Sequence, residues 1–273
     1  MSSEPPVVTP TCNTLWIGGD LGPIAAACLT SFLRRGHRVV VYCYDPPRDA
    51  PPGVELADAA VIIPTSRIIR HAKTGSYALF SDLFRYTLLR LGHGLWIDCD
   101  VYCLRRFAFD GEYVFGWQQP NSINGAVLRL PSDSPVLEKL IAIFDMKSPV
   151  LPWLRAEDQS TLMARRLAGE AFGIGDLRWG AAGPAALTYL LTEAGLARHA
   201  YPRTVFYPVP HHHGGLLLRA DADVSAVISP RTLAVHLWNE ALKPHIAKAQ
   251  RGSPVDRLLS QGTLVDETFL DGG

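Results

Sequence analysis

Apolar and polar positions change their period several times along this chain, and each change predicts an element. Residues 38–44, RVVVYCY, are apolar almost without a break, the pattern of a strand covered on both faces. Before it, Thr14 to Gly18 (TLWIG) reads as a short strand ending in glycine, and Ile24 to Arg35 as an amphipathic helix closed by Gly36. Ala59 to Ile63 reads as a further apolar strand stopped by Pro64. This strand–helix–strand opening predicts an α/β fold with a Rossmann-like, largely parallel sheet.

The clearest helical pattern is Ser76 to Leu91, SYALFSDLFRYTLLRL, with Gly92-His93-Gly94 as its stop. Leu95 to Ile97 then reads as a strand, as do Tyr113 to Trp117 and Gly125 to Leu130. Ser134 to Phe144 and Gly183 to Glu193 read as helices, the second opened by Gly-Pro with Pro184 in its first turn. Thr204 to Tyr207 and Leu233 to Leu237 read as late strands. The organisation expected is a loose arm over residues 1–13, one domain over 14–243, and a tail over 244–273, extended or helical, packing on or near the domain. Residues 157–159, EDQ, suit either a helix start or a contact with an acceptor.

Composition narrows the class. With 273 residues, 48% of them hydrophobic, the chain can bury one sizeable α/β core. Lys plus Arg and Asp plus Glu are both 26, which argues against a broad electrostatic nucleic-acid binder but leaves a local basic groove open; no nucleic-acid partner is expected. The first residues lack a basic stretch followed by an apolar one, so no signal peptide is expected. Apolar runs such as Ala57 to Pro64 fall far short of the ~20 residues of a membrane span. Cysteines 12, 28, 43, 99 and 103 lie in apolar surroundings and read as reduced core thiols, with no second Cys/His pair to complete a zinc site. A cytoplasmic protein is expected. Peripheral association with the inner face of a membrane stays open, although the pair Arg105-Arg106 is too short to imply it.

The candidate chemistry lies in LWIDCDVY, residues 95–102, where a buried strand runs into Asp98 and Asp100. Alternation along a strand puts both carboxylates on one side and Cys99 on the other. Ligands of open α/β sheets bind beyond the carboxyl ends of strands, and paired carboxylates there can hold a hard divalent cation. The plain alternative for so short a pattern is a solvated acidic turn. On the preceding helix Asp82 and Arg85 are spaced i, i+3 and share a face. As a surface ion pair they would contribute only ~0.3–0.5 kcal/mol.

Taken together, SDLFRYTLLRLGHGLWIDCDVYCLRRF resembles the sugar-binding DXD region of glycosyltransferases related to the initiating mannosyltransferase of yeast and, more distantly, of the clostridial glucosylating toxins. That pattern runs S-D-x-x-R-Y, a helix, then G-G-x-Y-x-D-x-D. The matching positions are Ser81, Asp82, Arg85, Tyr86, Gly92, Gly94, Asp98 and Asp100. The departures are His93 before the second glycine and Trp96 in place of tyrosine. Looser matches are LWIGG at 15–19, Asn124-Gly125-Ala126, Ala182-Gly183-Pro184 and AVHLWN at 234–239.

The resemblance implies a GT-A-type nucleotide-sugar-binding fold with a mixed central sheet. It implies a metal-dependent hexosyltransferase that takes a UDP- or GDP-hexose donor, uses Mn²⁺ or Mg²⁺, and glycosylates a glycan, glycolipid or other hydroxyl acceptor with retention at the anomeric carbon. Asp82, Arg85, Asp98 and Asp100 are the expected catalytic group. Trp16, Asp82, Arg85, Tyr86, Asp98, Asn124 and Trp238 are expected at the donor, and Asp98, Asp100 and His236 at the metal. For Trp16, Trp238 and His236 the competing role is packing in the core. The run His211-His212-His213 reads as a loop near the cleft rather than a zinc site. Asp45, ending RVVVYCYD, belongs first to a proline-rich turn.

Two other classes fit parts of the pattern. LWIDCDVY, a hydrophobic strand running into D-x-D, also resembles the aspartyl nucleophile strand of haloacid-dehalogenase-like phosphatases, in which one carboxylate attacks phosphorus. That strand usually opens its domain, whereas a credible α/β half precedes it here. A non-catalytic sugar-nucleotide-binding protein is the third reading, and the intact acidic pair argues against it.

Overall fold

Residues 9–266 are described by the structure, a computed structural model. The chain opens with β1 (Cys12–Trp16), α1 (Gly22–Arg34), β2 (Val39–Cys43) and β3 (Glu55–Asp58). α2 (Ala78–Arg90) then leads into β4 (Leu95–Ile97), β5 (Val101–Cys103), β6 (Val114–Gln119) and β7 (Ser122–Arg129). Helices α3 (Pro135–Ala142), α4 (Ala156–Leu167), α5 (Pro184–Glu193) and α6 (Arg203–Phe206) follow. The last elements are β8 (Ala234–His236), α7 (Asn239–Leu242) and α8 (Pro254–Gln261).

Six strands form one mixed sheet in the order β3-β2-β1-β4-β7-β6, and β5 pairs with β8 in a second, two-stranded sheet. β1 to β4 run parallel, while β7 is antiparallel to both β4 and β6. This is a mixed α/β sheet flanked by helices, compatible with a Rossmann-like fold. β2 shows why its sequence is uniformly apolar: Val40 and Tyr42 enter the core beneath α2, and Val39 and Val41 enter the core beneath α1. β4 divides in the same way, with Trp96 on one side and Leu95 and Ile97 on the other. Among the described residues no helix is long and apolar enough to cross a membrane.

Several expectations are corrected. Cys12 and Asn13, assigned to the arm, are the first residues of β1, and Cys12 is fully buried; residues 1–8 lie outside the described residues. Ala59 to Ile63 is not a strand. The strand is β3, an exposed edge, and residues 59–61 form a 3-10 turn started by the Asp58 carboxylate, which accepts the Ala60 N–H. Ala59 and Ile63 are apolar because they plug the core from that turn. Residues 204–206 are helical, within α6 behind Pro202, and Tyr207 ends the helix; an apolar run of four cannot separate the two states. α4 carries residues 157–159 in its first turns and buries only Leu162, so it has no apolar stripe to reveal it. Of the expected tail, residues 244–266 are described: α8 starts at a Ser253 cap and packs Val255 and Leu258 against Ile24 and Cys28 of α1.

Candidate functional site

The chain runs outward from β1 through β2 to β3, then returns to place β4 on the opposite side of β1. The carboxyl ends of β1 and β4 therefore flank the crevice where the strand order reverses, the usual ligand position of such sheets. Asp98, Cys99 and Asp100 sit there, in the turn between β4 and β5 rather than on a strand. The turn is fixed by the Asp98 N–H on Ala126 O at 2.8 Å and the Val101 N–H on Asp98 O at 3.1 Å. Cys99 turns toward β1, with Sγ 3.2 Å from Thr14 Oγ1, while the two carboxylates converge.

His236 reaches them through the small sheet. Val101 pairs with His236, and the Leu237 N–H donates to Asp100 O at 2.9 Å. His236 Nε2 lies 3.1 Å from Asp100 Oδ1, and one ligand atom from each of Asp98, Asp100 and His236 falls within 4.8 Å of the others. The Asn239 N–H donates to Asp100 Oδ2 at 2.8 Å. Burial opposes ionisation of Asp100, but His236 and that N–H outweigh it and hold the carboxyl below its usual range. Burial likewise opposes charge on His236, yet neighbouring Asp100 raises its pKa above the ordinary imidazole value.

The chain leaves β8 through Trp238 at φ 58°, a left-handed conformation rare for a bulky residue. That turn lays the Trp238 ring 4.0 Å from the imidazole, centroid to centroid, and aims the Asn239 N–H at Asp100. Asn239 Oδ1 and His236 Nδ1 are buried atoms with no hydrogen-bond partner. Two carboxylates and an imidazole form an oxygen-rich donor set that suits Mg²⁺ or Mn²⁺ better than a thiophilic ion.

α2 supplies the adjoining wall, and its ion pair is interior. The side chains of Arg85 and Asp82 are 9% and 13% exposed. Arg85 lies 3.5 Å from Asp82 Oδ1 through Nε and 3.2 Å from Asp98 Oδ1 through Nη2, and Nη1 donates to Gly125 O at 2.7 Å. Trp96 also donates its indole N–H to Asp98 Oδ1 at 2.7 Å. Two glycines leave room for this cluster. A Cβ on Gly183, at the start of α5, would lie 2.6 Å from Asp82 Oδ2, and one on Gly125 would lie 3.0 Å from Arg85 Nη1.

Burial raises the Asp82 pKa from 3.8 to about 6, against the pull of Arg85 and with the repulsion of Asp98. The folded state thus prefers the protonated carboxyl. That preference contributes stability in full below pH 3.8 and is lost as pH rises through about 6. Asp82→Asn keeps the neutral form at every pH. In EDTA at pH 7.5 it should stabilise the protein by on the order of 2 kcal/mol, shrinking toward zero near pH 4. Urea midpoints at the two pH values check this; an equal effect at both would refute the buried-acid account.

The other expected donor residues divide. Tyr86 is buried and donates its hydroxyl to Ala182 O at 3.1 Å. Asn124 has both amide atoms engaged internally, with Gln118 Oε1 and the Ala126 N–H. The Trp238 N–H is committed to Val209 O at 2.9 Å, in keeping with the packing role. Trp16 donates to Gly19 O and presents its ring to the crevice. Of the three histidines, His211 lines the cleft and His213 faces a separate apolar hollow.

Residues not singled out from sequence complete the site. The Tyr207 hydroxyl links Asn124 O and the Val127 N–H behind the cluster, at 3.3 Å each. The Asp49 carboxylate accepts the N–H groups of Leu21 and Gly22 at 2.6 and 2.8 Å, so the start of α1 already has its anion. Neither signal is local: each partner is distant in the chain and of a common residue type. The crevice itself has two lobes meeting at Asp98 and Asp100. One, of about 430 Å³, contains Trp16, Ser76 and Lys243; the other, of about 510 Å³, contains Asp82, Gly183 and His236.

No protein-family model matches the chain, and no curated protein matches it significantly. The site's chemistry therefore has to be argued from its geometry.

Proposed function

We propose that the protein is a metal-dependent glycosyltransferase of GT-A type. In this reading it moves a hexose from a UDP- or GDP-linked donor to a hydroxyl of a glycan, glycolipid or other acceptor. The observation that carries the proposal is the cluster of Asp98, Asp100 and His236 at the meeting point of two lobes, with Asp82 and Arg85 on the adjoining wall.

The larger-scale geometry fits a donor laid across the cluster. A nucleoside would occupy the lobe lined by Trp16, whose ring would stack on the base while its N–H is committed to Gly19 O. The diphosphate cannot use the start of α1, which Asp49 occupies. Its charge would be met instead by Lys243, by Arg85 and by a divalent cation held by Asp98, Asp100 and His236. When bound, such a cation neutralises charge that develops on a departing diphosphate. The hexose would enter the second lobe, where Asp82 accepts hydrogen bonds from sugar hydroxyls and Arg85 bridges sugar and phosphate oxygens.

The acceptor hydroxyl would approach from the same lobe. In a retaining reaction its proton passes to the leaving phosphate on the same face, so no separate base is needed. Proton NMR of the first-formed glycoside should show an α-anomeric coupling from an α-linked donor; a β coupling would overturn retention. A cytoplasmic location, free or peripheral at the inner membrane face, belongs to the same reading.

Calorimetry with a panel of UDP- and GDP-sugars, with and without Mn²⁺, tests the assignment. Binding of at least one sugar nucleotide only when Mn²⁺ is present is the expected result. Absence of binding across the panel, together with hydrolysis of simple phosphate esters, would move the protein to the phosphatase class.

A further inference from the structure

The larger lobe carries groups that neither the cation nor the donor uses. Trp179 lines this lobe yet is 44% exposed, a large aromatic face left open beside polar groups. Its position is built rather than incidental. The His71 ring meets it edge-on at 5.4 Å, and His71 is itself held by Leu177 O at 2.9 Å and Thr74 Oγ1 at 3.1 Å. The Ala72 N–H on Gly175 O, at 2.9 Å, ties the two loops together.

The lobe does not end at Trp179. Gln119 lines it and also lines a third, shallower hollow of about 380 Å³ with Trp117, Asn121 and Arg203. The β6–β7 hairpin forms the ridge between them. Its Pro120-Asn121 turn has Asn121 at φ 62°, the arrangement that Pro followed by Asn favours in a type II turn. Behind the ridge, Gln118 is locked between Ser122 Oγ and the Asn124 amide, at 2.7 Å each, so the rim is rigid while Gln119 projects outward. An exposed aromatic, a rigid amide-bearing rim, and a second aromatic with a guanidinium thus line two hollows that share Gln119.

We propose that this path binds a saccharide acceptor of at least two units, with the sugar nearest the cluster stacked on Trp179 and the next reaching over Gln119 toward Trp117 and Arg203. The C–H face of a pyranose suits an exposed indole, and its equatorial hydroxyls suit amide and guanidinium donors. The acyl chain of a lipid acceptor would have little use for the amide and guanidinium groups. The inference rests on the transferase reading for the direction of the chain, but the binding it predicts is measurable without donor.

The experiment is calorimetry of the full chain with gluco-, manno- and galacto-oligosaccharides of one to four units, with no nucleotide present. At least one series should bind, more tightly for two units than for one. Trp179→Ala should weaken that binding by about tenfold, the size expected for one lost aromatic contact, and Trp179→Phe should restore most of it. Arg203→Ala should weaken the two-unit ligand and leave the single sugar unaffected. Thermal unfolding of each variant separates lost binding from lost fold. Absence of binding in every series, or binding by folded Trp179→Ala equal to wild type, would overturn the proposal. Donor titration on the same preparation reports separately on the transferase reading: oligosaccharide binding without nucleotide-sugar binding would sink that reading and leave the saccharide path standing.

Discussion

Asp100→Ala should abolish metal-dependent binding of nucleotide sugar and lower transfer by at least about a thousandfold. The size follows from what is lost together: several kcal/mol of charge stabilisation leave with the cation, and each 1.36 kcal/mol is a factor of ten. Asp100 is also the group that organises its neighbours, since it holds His236 Nε2 through one oxygen and the Asn239 N–H through the other. A readout independent of turnover is available. Excess Mn²⁺ should raise the melting temperature of the wild type and not that of the variant, because only a ligand bound by the folded state stabilises it. The proton on His236 competes with metal for Nε2, and Asp100 raises that imidazole's pKa. Mn²⁺ should therefore bind more tightly as pH rises through the neutral range, with protons released on binding. Equal Mn²⁺ affinity in variant and wild type would remove Asp100 from the metal site and with it the main support for the transferase reading.

The parts of this site that were legible in the sequence are those written by local pattern. A buried apolar triplet running into two acids places Asp98 and Asp100 at a strand end whether they lie on the strand or, as found, in the turn beyond it. The spacing of Asp82 and Arg85 on a helix with apolar neighbours puts them on one face, although only the packed structure shows that this face is interior. His236 is singled out in the sequence only by the resemblance that AVHLWN carries. Its approach to Asp100, 136 residues away in the chain, depends on β5 pairing with β8, which strand patterns do not specify. Asp49 at the start of α1, the Tyr207 hydroxyl behind the cluster and the path past Trp179 left no local trace, because each depends on which loops meet. Apolarity misled where it served plugging rather than pairing, as at Ala59 and Ile63. It was silent where an element buries a single residue, as in α4.

Arg85→Met should cost about 3–5 kcal/mol of stability, the range for removing one partner from a buried charge cluster. The guanidinium is nearly inaccessible and serves Asp82, Asp98, the Gly125 carbonyl, the carbonyl and hydroxyl of Ser81, and the face of Trp96, 5.0 Å from Cζ. Methionine fills much of the stem's volume, so the loss reports charge and hydrogen bonding more than a cavity. Removing the cation leaves Asp82 and Asp98 repelling each other without compensation in a poorly solvated pocket. Asp82, already raised by burial, then favours protonation further, and the deficit should be largest above pH 7 and shrink as the solution is acidified. Adding Asp82→Asn should recover a substantial part of the loss at pH 7.5, because it removes one of the two uncompensated charges. Urea unfolding of the wild type, both single variants and the double variant closes that cycle and isolates the coupling. A loss of less than about 1 kcal/mol for Arg85→Met, in the range of ordinary surface changes, would show that the cluster is solvated and that its charges act independently. A large loss with strong coupling to Asp82 would mean that the fold keeps an unfavourable pair of acids in place through Arg85. That is the arrangement expected where carboxylates are held ready for a ligand rather than for stability.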